Sequence, residues 1–396
     1  MPTRSIRRRA AVAAVSAAAT TLAVLAPPAP LAAASGISLQ RSTKITVTRG
    51  VQRWSISWTN DHGYQHGYVM SVDLTVKGLS IRPGVGHGMV NVRETTSSIA
   101  GRTGAIAGIN GDLFNWDTSL PWGGVGIGGG IFKSPKPSRP SQFYVTAKGK
   151  VGIGALKWSA SVTPVSSTGK AVAASHALFG VNNLGMANNG HLTLFTPTIT
   201  SERLKQCVAV TGSMSGRTLT VHRVYKQMGR FDQLRTGHRM IAACDTGGDW
   251  LRNHAQLGQR LRITQQLTTK AGVRVTSFIS GERTLRMGGK AYQDKTGFHT
   301  NGINPETAAC VSQDHEHVRL IAVDGWIGWA GEGNGITLPE LGDLAAALHC
   351  YSTVVFDGGG STTMVVKRAG TMHVINRMPS HYGQRPVPNA LLVFKS

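Results

Sequence analysis

From Ile45 to Gly78 the chain alternates polar residues with Val, Ile and Trp, as in Ile45-Thr-Val-Thr48 and Ser71-Val-Asp-Leu-Thr-Val76. A period of two is that of a strand with one buried face, so this stretch reads as β structure. Residues 89 to 100 fit one helix leading into Ala105-Ile-Ala-Gly-Ile109, a short apolar strand that ends at Asn110-Gly111-Asp112. Residues 121 to 137 are rich in Gly and Pro, and from there to Ile279 short strand patterns alternate with turns such as Asn188-Asn-Gly190. The Ser, Thr and Pro around 159 to 169 do not make a linker, because the strand pattern resumes directly.

Beyond Asn301 the pattern sharpens. Strands are expected over 307–311, 318–323, 353–356 and 362–366, with a helix over 338–349. That helix places Leu338, Leu341, Leu344, Ala345 and Leu348 on one face, and Thr337 to Glu340 has the spacing of a capping box. Together these elements predict an α+β fold, with β-rich mixed sheets and a few flanking helices in a single elaborated domain.

Composition bounds this picture. The chain has 396 residues, 41% of them hydrophobic and 15% charged, which excludes a disordered chain and a coiled coil. The opening residues read as an export signal: Arg4, Arg7, Arg8 and Arg9 are followed by apolar Ala10 to Leu25 and by Ala32-Ala33-Ala34. No Phe-Leu-Lys follows the arginines, so general secretion is the default over the twin-arginine route. The expected organisation is a signal peptide (1–34), an N-terminal β extension (35–61) and the main domain (62–396). No later apolar run reaches the roughly 18 residues of a membrane span.

In an exported chain Cys207, Cys244, Cys310 and Cys350 should form two disulfides, for which three pairings exist. Cys207–Cys244 with Cys310–Cys350 is favoured, since each pair encloses a compact stretch and Cys350 would end a helix beside the strand of Cys310. The 42 Lys and Arg against 19 Asp and Glu fit an anionic, cell-wall-like environment. Scattered arginines and 6% aromatics do not fit specific nucleic-acid recognition.

Few carboxylates are available for chemistry, and Asp112, Asp324 and Asp357 each follow a strand next to glycine. In Asp357-Gly358-Gly359-Gly360-Ser361 three glycines would let backbone N–H groups approach an anion, more than a plain hairpin turn needs. The Lys of a Walker loop is missing, as is the G-x-S-x-G of a serine hydrolase. Trp326 and Trp329 beside Asp324 could stack on a sugar or fill a core. Glu340 is explained by its cap. His62 and His66, and Asp314-His-Glu-His317, lack the converging ligands of a zinc site, so both are read as surface clusters and neither metal nor cofactor is expected.

The segments Ala107-Gly-Ile-Asn-Gly-Asp-Leu-Phe114, Asn304-Pro-Glu-Thr307, Val323-Asp-Gly325, Gly335-Ile-Thr-Leu-Pro-Glu-Leu341, Phe356-Asp-Gly-Gly-Gly-Ser361 and Arg385-Pro-Val-Pro-Asn389 together resemble the phosphodiester glycosidase family, from about residue 62 to 394. The resemblance implies hydrolysis of a sugar 1-phosphodiester at the glycosidic carbon, giving free sugar and a phosphomonoester. It implies Asp357 and Asp324 as the working carboxylates and Asp112 as a further acid. Asn110, Gly358, Gly359, Gly360, Ser361, Arg385 and Trp326 are the implied substrate contacts. Glu306 and Trp326 stand where the family usually has Arg. The alternatives are a non-catalytic module binding anionic cell-wall glycopolymer and a metal-dependent phosphodiesterase cutting the P–O bond.

Overall fold

A computed structural model describes residues 37–292, 302–325, 335–379 and 383–396. The proposed signal peptide and Trp326 and Trp329 lie outside the described residues. The fold is β-rich α+β: sheets of nine, five, eight and five strands, accompanied by four α-helices among the described residues. Pairing is antiparallel except between Gly180–Val181 and Thr193–Phe195, which makes the eight-stranded sheet mixed.

Two of these sheets position the site. The nine-stranded sheet runs Val51–Asn60, Gly63–Asp73, His317–Val323, Glu306–Val311, Ser352–Val355 and Arg283–Met287 through its middle. Alternation decides its faces. Val318, Leu320 and Ala322 point into one core, while Ile321 and Val323 point into another. The first core is shared with Ile81, Ile109, Met364 and Leu391 of a five-stranded sheet, so the two sheets pack face to face. The second core, with Trp54, Ile56 and Trp58, is closed by the helix Leu338–Ala347, whose Leu338, Leu341, Leu344 and Ala345 are buried.

The capping box is present: Thr337 Oγ1 accepts the Glu340 N–H while a Glu340 carboxylate oxygen accepts the Thr337 N–H at 2.8 Å. This helix ends at Ala347 rather than at His349, whose φ of 56° is left-handed. The earlier helix is Thr96–Thr103, not 89–100. Thr95 caps it by accepting from the Ser98 N–H, and the residues before it are drawn elsewhere: Asn91 bonds Thr200 and Glu202, and Glu94 pairs with Val387. Cys207–Cys244 and Cys310–Cys350 are both bonded, as the favoured pairing has it. Among the described residues, no helix is long and apolar enough to cross a membrane.

Candidate active site

Antiparallel register brings the candidate residues to one end of the two packed sheets. Glu306 lies opposite Val323, and Arg283 opposite Val355. Hence Asp324 and Asp357, just past the ends of two strands, share an edge with Glu306 and Glu282, at or just before the starts of two others. In the five-stranded sheet Ala390 lies opposite Asn110 and Met364 opposite Ile109, which puts Asn110, Asp112, Thr363 and Asn389 together in the same way.

At this edge is a cavity of about 350 Å³ lined by Asp357, Gly358, Gly359, Glu282, Glu306, Asn304 and Arg385, with Leu113, Phe114, Trp116 and Trp122 as its apolar walls. A larger groove of about 630 Å³, on the eight-stranded sheet, has Arg223, Arg230 and Arg235 but only Asp232 as a carboxylate. The larger groove also has His222 and His238, but the smaller cavity is the one in which three buried carboxyl groups, Glu282, Glu306 and Asp357, converge. Its rim carries Trp116, which is 58% exposed and has the Arg385 guanidinium 5.1 Å from its ring centre.

The turn is held from both sides. Asn110 Nδ2 donates to the Asp357 carbonyl, while Asn110 Oδ1 accepts from the Thr363 N–H and the Thr307 hydroxyl. The Asp357 N–H donates to the Gly111 carbonyl. Asn110 is thus fully engaged in the framework and does not line the cavity. Two turn amides are also committed, since the Gly359 N–H donates to Pro305 at 2.7 Å and the Ser361 N–H to Gly358 at 3.2 Å. Those of Gly358 and Gly360 have no backbone acceptor among the described residues. The glycines have a second use, because a Cβ on Gly360 would collide with the Arg385 guanidinium, and one on Gly358 would lie 2.5 Å from Glu306 Oε2.

Asp357 is 8% exposed, and burial pushes its carboxyl up to about 7, even though a Ser361 hydrogen bond and the Arg385 charge act in the opposite direction. Arg385 Nη1 also reaches Ser361 Oγ at 3.4 Å. Asp112 lies behind the cavity wall: its Oδ2 accepts the Gly123 N–H at 2.6 Å and Arg139 stands 3.7 Å from Oδ1. Burial raises its carboxyl to about 6.

Asp324 is not brought to the cavity. His66 Nδ1 lies 2.7 Å from its Oδ2, and its Oδ1 accepts the Arg377 N–H at 2.9 Å, so both oxygens are occupied in tying two strands to a loop. His66 accordingly belongs to this buried pair rather than to a surface cluster, whereas His317 pairs with Asp314 at the surface. Sequence reasoning missed Glu282, Trp116 and Trp122 and treated Glu306 only as a departure. Their positions at strand starts and in the loop after Asp112 were the available signal.

Residues 233–394 match the phosphodiester glycosidase family, which bears out the resemblance of the motifs over that stretch. The matched stretch contains Glu282, Glu306, Asp324, Asp357 and Arg385 but not Asn110, Asp112 or Trp116. Among solved structures the chain is similar to a hypothetical protein from Synechocystis, with 18% identity, a TM-score of 0.71, and coverage of 91% of this chain and 68% of that one. It is also similar to a putative exported protein from Burkholderia pseudomallei, with 16% identity, a TM-score of 0.72, and coverage of 93% and 99%. At these identities the likeness is one of fold. The zebrafish N-acetylglucosamine-1-phosphodiester α-N-acetylglucosaminidase catalytic domain, auto-inhibited by its pro-peptide, matches at 14% identity and a TM-score of 0.47, covering 91% and 88%. No curated protein matches the sequence.

Proposed function

We propose that this chain is an exported hydrolase of the phosphodiester glycosidase type, cleaving a sugar 1-phosphodiester at the glycosidic carbon. The observation that carries the reading is Asp357 at the wall of an aromatic-sided cavity that Arg385 also lines, beside two glycine amides with no backbone acceptor among the described residues. The family match over residues 233–394 supports the same chemistry. Two disulfides and the basic-then-apolar opening residues support export.

In this reading the sugar stacks on Trp116, and the ionised Asp357 attacks or stabilises the glycosidic carbon as positive charge develops there. Arg385 and the Gly358 and Gly360 amides receive the departing phosphate oxygens, preorganised donors being most effective where charge appears in the transition state. Asp112 fixes the Gly123 loop behind the cavity, and the Asp324–His66 pair fixes the neighbouring one. The test is release of reducing sugar from a panel of sugar 1-phosphodiesters, abolished in Asp357→Asn. Release of sugar 1-phosphate instead would assign P–O cleavage, and binding of anionic glycopolymer without turnover would assign a binding module.

A further inference from the structure

We propose that Glu306 is the proton donor of this cavity, delivering its carboxyl proton to the glycosidic oxygen, and that it widens the substrate class to glycosides whose leaving group is an ordinary alcohol. The inference rests on the glycosidic-carbon reading above and adds the second of the two groups such a reaction uses. Glu306 opens the strand Glu306–Val311 at the cavity edge and is 3% exposed. Its Oε2 has no hydrogen-bond partner among the described residues. That oxygen lies against the Cα of Gly358, the residue following Asp357, and any side chain there would occupy its space.

Chemistry decides which form this carboxyl takes. An ionised carboxylate buried without a partner, beside Glu282 and Asp357, is heavily penalised, and the neutral acid is not. Burial first, then the neighbouring Glu282 and Asp357 charges, hold the Glu306 carboxyl well above the usual carboxylate range. Its neutral, O–H-donating form is therefore favoured, and it lines a cavity in which the substrate can supply the acceptor. Two carboxyl groups with separated proton affinities are the arrangement that divides the work of acid and nucleophile.

A phosphate leaves readily as an anion, whereas an alkoxide requires protonation as it departs. In the first step the Glu306 proton passes to the glycosidic oxygen, the C1–O electron pair leaves with that oxygen as the alcohol, and the Asp357 carboxylate bonds to C1. In the second, water adds to C1 and gives a proton to the Glu306 carboxylate, and the C1–Asp357 bond breaks. One water is consumed and both side chains are restored.

The experiment compares wild type with Glu306→Gln on hexopyranosides bearing 2,4-dinitrophenyl, phenyl and methyl leaving groups, alongside the sugar 1-phosphodiesters. Wild type should cleave all three glycosides with a shallow dependence on leaving-group basicity. Glu306→Gln, which keeps the shape of the neutral acid, should hold kcat/KM for the dinitrophenyl glycoside within about threefold, since that constant reports only the first step, and lose about 100-fold or more in kcat/KM on the methyl glycoside, while kcat falls on every glycoside because the second step has lost its base. An equal loss of kcat/KM across the series, or none, overturns the inference. Phosphodiester cleavage without any glycoside cleavage overturns it while sparing the function proposed above. Glycoside cleavage without phosphodiester cleavage overturns the phosphate assignment and supports Glu306. If the variant does not fold, the wild-type series alone decides: a steep fall with leaving-group basicity counts against a proton donor.

Discussion

Asn110 Nδ2 donates to the carbonyl oxygen of Asp357 at 2.6 Å, across 247 residues of sequence. With Thr363 and Thr307 bonded to its Oδ1, this one amide joins a strand end of the smaller sheet to the glycine turn and to the larger sheet. Asn110→Ala removes three buried hydrogen bonds at about 1 kcal/mol each, so unfolding in urea should show a loss of about 3 kcal/mol. Activity should fall with it, because the same bonds set the direction of Asp357. A stability loss under 1 kcal/mol would show that the turn holds itself.

Asp357→Asn should inactivate the protein and also stabilise it. The native Asp357 carboxyl titrates at about 7 and an unfolded one near 4. Between those values the native state holds the proton and the unfolded state does not, so stability declines as pH rises through this window and the penalty is complete above it. Asp112, raised to about 6, and the raised Glu306 act in the same direction. Asn is neutral throughout, so the variant should gain about 2–4 kcal/mol at pH 8 and little at pH 4. Denaturant melts at the two pH values check this.

The rate should rise with pH through about 7 as Asp357 ionises, and on alkyl glycosides alone, whose leaving group needs the Glu306 proton, it should fall again at higher pH. The groups acting on Asp357 are Ser361 and Arg385, which favour its charge, and Asp112 and Glu282, which oppose it; Glu306 lies in the same cavity wall. Asp112→Asn removes one opposing charge and should move the rising limb to lower pH. A pH profile of kcat/KM with an unmoved limb would show that Asp112 does not act on Asp357.

Gly360→Ala should raise KM for phosphodiesters severalfold while leaving the thermal midpoint nearly unchanged. The new methyl displaces the Arg385 guanidinium, a side-chain end able to move, and the backbone at Gly360 is not left-handed. Steady-state kinetics with a thermal melt separate this from general damage. A falling midpoint with constant KM would place the effect in the fold.

The disulfides join cysteines 37 and 40 residues apart, loops for which chain entropy predicts about 4 kcal/mol each. Reduction should cost several kcal/mol, and intact mass should rise by about 4 Da in total on reduction, about 2 Da per bridge. Calorimetry with and without reductant, paired with mass spectrometry, is the measurement.

Much of this arrangement was legible in the chain. Alternation placed the strands His317–Val323 and Glu306–Val311 within a residue, and the Thr337–Glu340 cap located its helix. The glycine run marked the turn at Asp357. What the sequence could not express was which polar groups had already found partners. Asp324 reads like Asp357 until His66, 258 residues away, is seen against it. The Gly359 and Ser361 amides likewise look available until Pro305 and Gly358 accept them. Glu306 presented the reverse difficulty: a charged letter at a strand start suggests solvent, and only the packed sheets turn it into a buried acid.

The strand Asn389–Lys395 pairs on one side with Ala107–Asn110 and on the other with Leu79–Val85. A segment far downstream in the sequence therefore lies between two early strands, in a sheet whose remaining members, Met364–Arg368 and Thr371–Val374, come shortly before it, and Arg385 precedes it by only a few residues. During synthesis Ala107–Asn110 and Leu79–Val85 must wait for this strand before they can be joined, so the sheet edge beside the cavity depends on long-range pairing. A nascent chain stopped before Asn389 would own every carboxylate of the cavity and still have no site.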